Sequence, residues 1–281
     1  MPSPRQSLMS NICIITDSTV QFTHPNFPGH ERVYVIPFGF HIRTQPEDEP
    51  RSHSGPSQQL IPPSTQEFVR FYAQRSREYD TIFVLTLSSL LNPTIRFAIS
   101  ASAQYSNHVT IEVIDSQTTG IGLGLLVQAA AAAAAAGSPP AKIERRVRET
   151  IPRIYMLFCI PELTYLAHSG YMDYSQAVVG EMMGMLPIFA IEEGRLTPIE
   201  KVRTQRHLFD SFLEFINEFD APAYIALARG TSHNTIRTRP IRQYIQETFP
   251  DTLFSEHTIA PHMAALFGPQ STELVIMEKL D

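Results

Sequence analysis

Three apolar stretches of this chain end in the same way, and that repetition limits the folds open to it. Residues 11–16 (NICIIT) run into Asp17-Ser18-Thr19, residues 81–87 into Ser88-Ser89, and residues 110–114 (TIEVI) into Asp115-Ser116-Gln117-Thr118. The middle run is too short for a membrane span and has no polar face. It suits a strand buried on both sides of a parallel sheet. Strand, polar turn and then helix or loop, repeated three times, predicts a parallel sheet with covered faces. The three turns should converge on the carboxyl rim of that sheet, where ligands bind in open α/β folds.

The middle repeat carries the richest turn. Ser88-Ser89 is followed by Asn92-Pro93-Thr94 and a helix of small residues over 95–103. Asn92 then Pro93 reads as an N-cap followed by proline at the first helical position. Helix capping alone explains such residues, so the turn gains weight as a site only in company with the other two.

Around these repeats the chain reads as α/β. Residues 32–40 (RVYVIPFGF) form a second strand, at an edge or bent at Pro37. Residues 41–63 are polar and rich in Pro and Ser, a long surface excursion. Ser64 with Glu67 is a capping box ahead of Phe68, Phe71 and Tyr72. An Ala-rich helix follows the third turn and ends at Gly137-Ser138-Pro139-Pro140, and a basic helix runs over 141–153. Beyond residue 154 helices and hairpins mix. Strands fall at 155–160, 223–228 and 274–277, and helices at 163–172 (broken at Ser169-Gly170), 174–185, 206–219 and 240–249. A hairpin turns at Glu193-Gly194. We expect an N-terminal Rossmann-like domain over 1–155 and a C-terminal α+β domain with a mixed sheet over 156–281.

Composition excludes several function classes. A net charge of -6 argues against a nucleic-acid-binding face, and the only lysines are Lys142, Lys201 and Lys279. Cys13 and Cys159 sit in apolar runs and read as buried free thiols. Residues 116–141 carry no charge, but their core is Ala and Gly, which contribute little to membrane insertion. The first ten residues lack the apolar core of a signal peptide, so a cytoplasmic protein without a transmembrane segment is expected.

Familiar catalytic motifs are missing. Gly120-x-Gly122-x-Gly124 opens a helix, but its spacing is one residue short of a dinucleotide fingerprint and no acidic residue follows at the right distance. Close packing of the helix on the sheet explains these glycines better. There is no P-loop, no nucleophile elbow and no zinc-type histidine spacing, so neither cofactor nor metal is expected. Asp17 reads as a turn-forming residue.

Taken together, several stretches resemble the DegV family of lipid-binding proteins. They are IITDST (14–19), VIPFGF (35–40), PPSTQEF (62–68), LSSLLNPTIRFA (87–98), VIDSQTTGIGLGLLVQAA (113–130), LTYLAHSGYM (163–172), GRLTPIEKVRTQRHLFDSF (194–212) and FGPQSTELVIM (267–277). The resemblance implies the two-domain EDD fold with a long-chain fatty acid held between the domains. It implies a non-catalytic role in phospholipid metabolism, as the acyl-carrying subunit that presents a carboxylate to a partner fatty acid kinase. Residues 17, 18, 88, 89, 115 and 116 keep the family pattern. The head-group positions depart from it. Asn92-Pro93-Thr94 stands where the family has Ser-Gly-Thr, and Leu60-Ile61 stands before Pro62-Pro63-Ser64 where it has Thr-Ser. His168-Ser169-Gly170-Tyr171 replaces Arg-Gly-Gly-Arg. Leu266 replaces a His, with Gly268-Pro269 kept and Gln270 in place of the last Gly.

The ligand-binding residues implied are Asn92, Thr94, Ser89, Ser64, His168, Ser169, Tyr171, Leu266 and Gly268. Two alternatives stay open. One is a small-molecule enzyme of the α/β class using Asp17, Ser89 and His168. The other is a scaffold whose pocket has filled with Leu60, Ile61 and Leu266.

Overall fold

The structure is a computed structural model that describes residues 11–42, 58–105, 109–230 and 238–279. The chain begins with β1 (Ile12–Asp17), β2 (Val33–Ile36), β3 (Gly39–Ile42) and β4 (Gln58–Ile61), then α1 (Thr65–Arg75), β5 (Thr81–Thr86), α2 (Thr94–Gln104), β6 (Thr110–Asp115), α3 (Gly120–Ala135) and α4 (Pro140–Thr150). Strands β2-β1-β5-β6 form a sheet in that order, parallel throughout. Its side chains alternate between two cores. Cys13 and Ile15 face Phe68 and Tyr72 of α1 and Ala98 of α2. Ile12 and Ile14 face the opposite way, into a larger core with α3.

The second half supplies β7 (Ile154–Cys159), α5 (Leu163–His168), α6 (Tyr174–Met182), β8 (Leu186–Glu192), β9 (Arg195–Val202), α7 (Gln205–Asn217), β10 (Pro222–Arg229), α8 (Thr238–Thr248), β11 (Leu253–Thr258), α9 (Pro261–Phe267) and β12 (Thr272–Glu278). A six-stranded sheet runs β11-β10-β12-β7-β8-β9, with only β10 and β11 parallel. Helices α7 and α8 cover one face with Phe212, Ile216, Ile241 and Ile245. Its other face meets the large core that contains α3.

Helix α3 joins the two layers. Eleven of its sixteen residues are buried, and over its first two turns they occupy every side of the helix. A helix that is apolar all round has no face for water and must be enclosed. It touches β1 and β5 of one sheet and β7 of the other. Small residues permit that approach. A Cβ at Gly124 would stand 2.1 Å from the Gln21 carbonyl oxygen, and one at Gly122 would stand 2.2 Å from Thr118 Oγ1. The glycines therefore serve packing, as the sequence predicts.

Several boundaries differ from the sequence reading. Residues 32–40 are two strands, because Pro37 cannot continue the ladder. The first of them is an edge strand. Part of the expected surface excursion is paired, with β3 and β4 forming an antiparallel ladder. Residues 43–57 lie outside the described set. Helix α2 starts at Thr94 with Pro93 as its cap residue. Asn92, the expected cap, instead accepts hydrogen bonds from Thr94 N and Oγ1 at 3.2 and 2.7 Å, a side-chain turn one residue before the observed cap. Helix α6 stops at Met182, three residues early. The β8–β9 hairpin turns at Glu193 and Gly194, with φ of 50° and 83°, as Glu-Gly implied. Both cysteines are buried, and burial pushes each thiol up to about 12.

Gly124→Ala should lower stability by about 1 to 3 kcal/mol, because the new methyl meets backbone that cannot retreat. Chemical denaturation checks it; an unchanged midpoint would mean that α3 and the loop at Gln21 are not in close contact.

Candidate ligand site

The three polar turns do meet at one rim, and each is used to lock the fold. Asp17 is fully buried. Its Oδ1 accepts from Thr19 N and Oγ1 at 2.9 and 2.5 Å, and its Oδ2 accepts from Leu87 N at 2.7 Å, so it ties the end of β1 to the end of β5. Burial raises its carboxyl above the usual range, while the Thr19 and Leu87 donors pull it back. Ser89 N donates to Asp115. Ser116 Oγ closes its own turn by accepting from Thr118 N. Both carboxylates are engaged by backbone, which leaves the proposed catalytic trio of Asp17, Ser89 and His168 without a free base at Asp17.

Two of these turns reach across to the mixed sheet. Ser88 Oγ donates to the Gly194 carbonyl at 2.6 Å, on the β8–β9 hairpin. Ser18 Oγ accepts from Phe38 N at 2.8 Å and lies 3.1 Å from His262 Nε2 on α9. The His262 ring stacks on Phe40 at 4.8 Å, and burial keeps it toward its neutral form. The next turn of chain adds Gln21, whose side chain binds Thr258 O and Ala260 N.

Several of the family-implied residues fall beside this rim. Leu60 on β4, Leu91, Leu166 on α5 and Leu266 on α9 are buried in one core, with Tyr171 packed against it. Helix α9 packs on both β4 and α5. The Tyr171 hydroxyl donates to the Leu91 carbonyl, joining the α5–α6 segment to the start of α2. Burial raises the Tyr171 phenol and keeps it protonated. Asn92 and Thr94 share the turn beside it, and the Asn92 amide donors take no part in that turn. Ser64 is spent on its capping box, where its Oγ accepts from Glu67 N and donates to Glu67 Oε2. His168 stacks on Tyr174, 5.5 Å between ring centres. Ser169 N donates to Tyr165 O. Gly268 ends α9 at a φ of 89° and packs on Glu162. Ile61 is 48% exposed while Leu60 is buried, so only Leu60 and Leu266 of the three expected residues fill the interior.

With this geometry in place, comparison with known proteins assigns the chain. A family model described as an uncharacterised protein family, DegV, matches residues 11–279. The chain belongs to the DegV family. Protein DegV of Bacillus subtilis is 24% identical over 236 residues, covering 79% of this chain and 83% of that one. A DegV domain-containing protein of Caldanaerobacter subterraneus is 31% identical over 160 residues, and the match spans 56% of this chain and 57% of that protein. Among solved structures, a fatty acid binding DegV family protein from Streptococcus agalactiae matches 96% of this chain and 100% of its own at a TM-score of 0.78 and 19% identity. The fatty acid kinase B3 protein of Streptococcus pneumoniae, loaded with linoleic acid, matches over 96% and 100% at a TM-score of 0.79 and 16% identity. At these identities the structural likeness establishes the DegV fold.

Two carboxyl groups of this DegV protein escaped the sequence reading. Glu162 is buried at the start of α5, where its Oε2 accepts from Gln270 N at 2.9 Å and its Oε1 from Gln270 Nε2 at 3.2 Å. Burial raises its carboxyl and the Gln270 donors oppose that. Glu273 on β12 is fully buried, with Oε1 accepting from Ile121 N at 3.4 Å. Burial pushes its carboxyl from the usual 4.5 to about 8. Neither has a motif, and only the sheet register turns Glu273 inward. Among the described residues, a cavity of about 380 Å³ also opens between the β8–β9 hairpin and a 3-10 turn at Ile151–Arg153. It is lined by Ile154, Met156, Ile191 and Gly194 and by none of the family-implied residues.

Because folding raises the Glu273 carboxyl, the folded chain holds a proton between about pH 4.5 and 8 that the unfolded chain releases. The contribution of this group to stability therefore falls as pH rises through that window and is flat above it. Glu273→Gln should remove that slope and be more stable than the parent at pH 8, by on the order of 1 to 3 kcal/mol. Parallel stability–pH curves for the two proteins would contradict a protonated, buried Glu273.

Proposed function

We propose that this DegV protein binds a long-chain fatty acid in the core between its two sheets, the N-terminal unit (1–155) on one side and the C-terminal unit (156–281) on the other. The observation that carries the reading is the convergence of β4, the α2 turn, α5 and α9 on one apolar cluster at the sheet rim. Burial of each CH₂ contributes about 0.8 kcal/mol, so a long chain supplies on the order of 10 kcal/mol. The head group then needs orientation more than affinity. On this reading Asn92, Thr94, Ser89 and Tyr171 hold the head group at the α2 turn, and His168, Ser169, Leu266 and Gly268 complete the site; the Asn92 amide is its principal donor. Ser64 supports the site through its cap. The acyl carboxylate is offered to a separate kinase subunit, in line with the name of the pneumococcal neighbour. On this reading the chain itself does no covalent chemistry.

Native mass spectrometry of the purified chain, followed by lipid extraction, should find one fatty acid per chain. Asn92→Leu should weaken uptake of added fatty acid by about 1 to 3 kcal/mol, the cost of a lost buried hydrogen bond. A chain that carries no lipid and takes up none would sink the proposal; affinity unchanged in the variant would remove Asn92 from the site.

A further inference from the structure

Glu273 occupies the central region of the mixed sheet, paired with Phe158 on β7 and Ala228 on β10. Val275, two residues on, packs in the core between the sheets, whereas Leu274 and Ile276 pack on the far face. Strand alternation therefore turns Glu273 into the same interlayer core. It lies against the first turn of α3, where a Cβ at Gly120 would stand 3.0 Å from its Oε1. Oε1 takes the Ile121 N–H. Oε2 is buried with no hydrogen-bond partner among the described residues.

The neighbouring polar groups are also poorly served. Thr119 Oγ1 donates to Met263 Sδ at 3.3 Å, and Thr118 Oγ1 donates to Met156 Sδ at 2.7 Å. Thioether sulfur is a weak acceptor. Three polar groups thus point into an apolar layer without good partners, which native cores rarely tolerate. Among the described residues nothing charged compensates Glu273. Helix α3 has no titratable residue. His262 on α9 turns its Nε2 to Ser18, and Arg229 of β10 is exposed at the strand end. The carboxyl is accordingly protonated at neutral pH. With Oε1 accepting from Ile121, its proton sits on Oε2 and is available to a partner. Met156 and Met263 are unbranched and adaptable, so they can yield to a chain laid beside them.

We propose that Glu273 is a specificity residue, donating a hydrogen bond from Oε2 to an uncharged oxygen (hydroxyl, keto or ether) carried along an acyl chain held between the sheets. The assignment rests on the lipid-binding reading above. It makes oxygenated fatty acids, rather than plain saturated ones, the preferred ligand class.

The delipidated full-length chain would be titrated with stearic acid and with a series of stearic acids hydroxylated at successive positions. At least one positional isomer should bind about tenfold tighter than stearic acid, the worth of one added buried hydrogen bond. Glu273→Leu should erase that preference, and Glu273→Gln, isosteric and still a donor, should keep part of it. Equal binding of all ligands to the parent, or a preference that survives in Glu273→Leu, overturns the assignment while leaving lipid binding intact. Failure of every acyl ligand to bind overturns both.

Discussion

The two sheets of this molecule are arranged around a helix whose first two turns have no outside. From Gly120 to Val127 α3 is apolar and buried on all sides, so a single sheet cannot satisfy it, and the fold encloses this part between two. Its glycines and alanines let both layers come close enough to share one core. That proximity brings the polar turns at the carboxyl rim of the parallel sheet against elements of the mixed sheet. Ser88 meets the Gly194 hairpin, and Ser18 meets His262 on α9. The rim that would be an open crevice in a lone doubly wound sheet is here roofed by α5 and α9.

On the proposed function, this arrangement divides the work of binding. Apolar area between the layers would supply affinity without direction, and a few polar groups at the rim would supply direction. Leu60 and Leu266 extend the apolar core toward the rim, while Asn92 keeps one amide at the α2 turn. Glu273 places a further polar group deep in the core, with one oxygen on the Ile121 N–H and the other without a partner among the described residues.

Most of the architecture was legible in the sequence because its signals are local. The strand–turn repeats, the Ser64–Glu67 box and the Glu193-Gly194 turn each fix a short piece of backbone through chemistry that neighbouring residues supply. What was illegible depends on register or length. Strand β11 (LFSEHT) lies at a sheet edge, half wetted, and shows no clear alternation; α9 has only seven residues. The cap at α2 slipped by one position because Asn92 bonds Thr94 rather than opening the helix. Ile61 and Leu60 are adjacent and both apolar, and only the β3–β4 pairing decides which turns inward. Glu273 was hidden for the same reason, since an acidic residue in TELVIME reads as solvent-facing until the neighbouring strands are known.

The central claim is that a long acyl chain lies in the core roofed by α5 and α9. Hydrogen–deuterium exchange with and without bound long-chain fatty acid tests it most directly. The account predicts slowed exchange in β4, in residues 91–94, and along α5 and α9. Stoichiometric binding with protection confined to the residues around the Ile154–Gly194 cavity, or with none in these four segments, would contradict it.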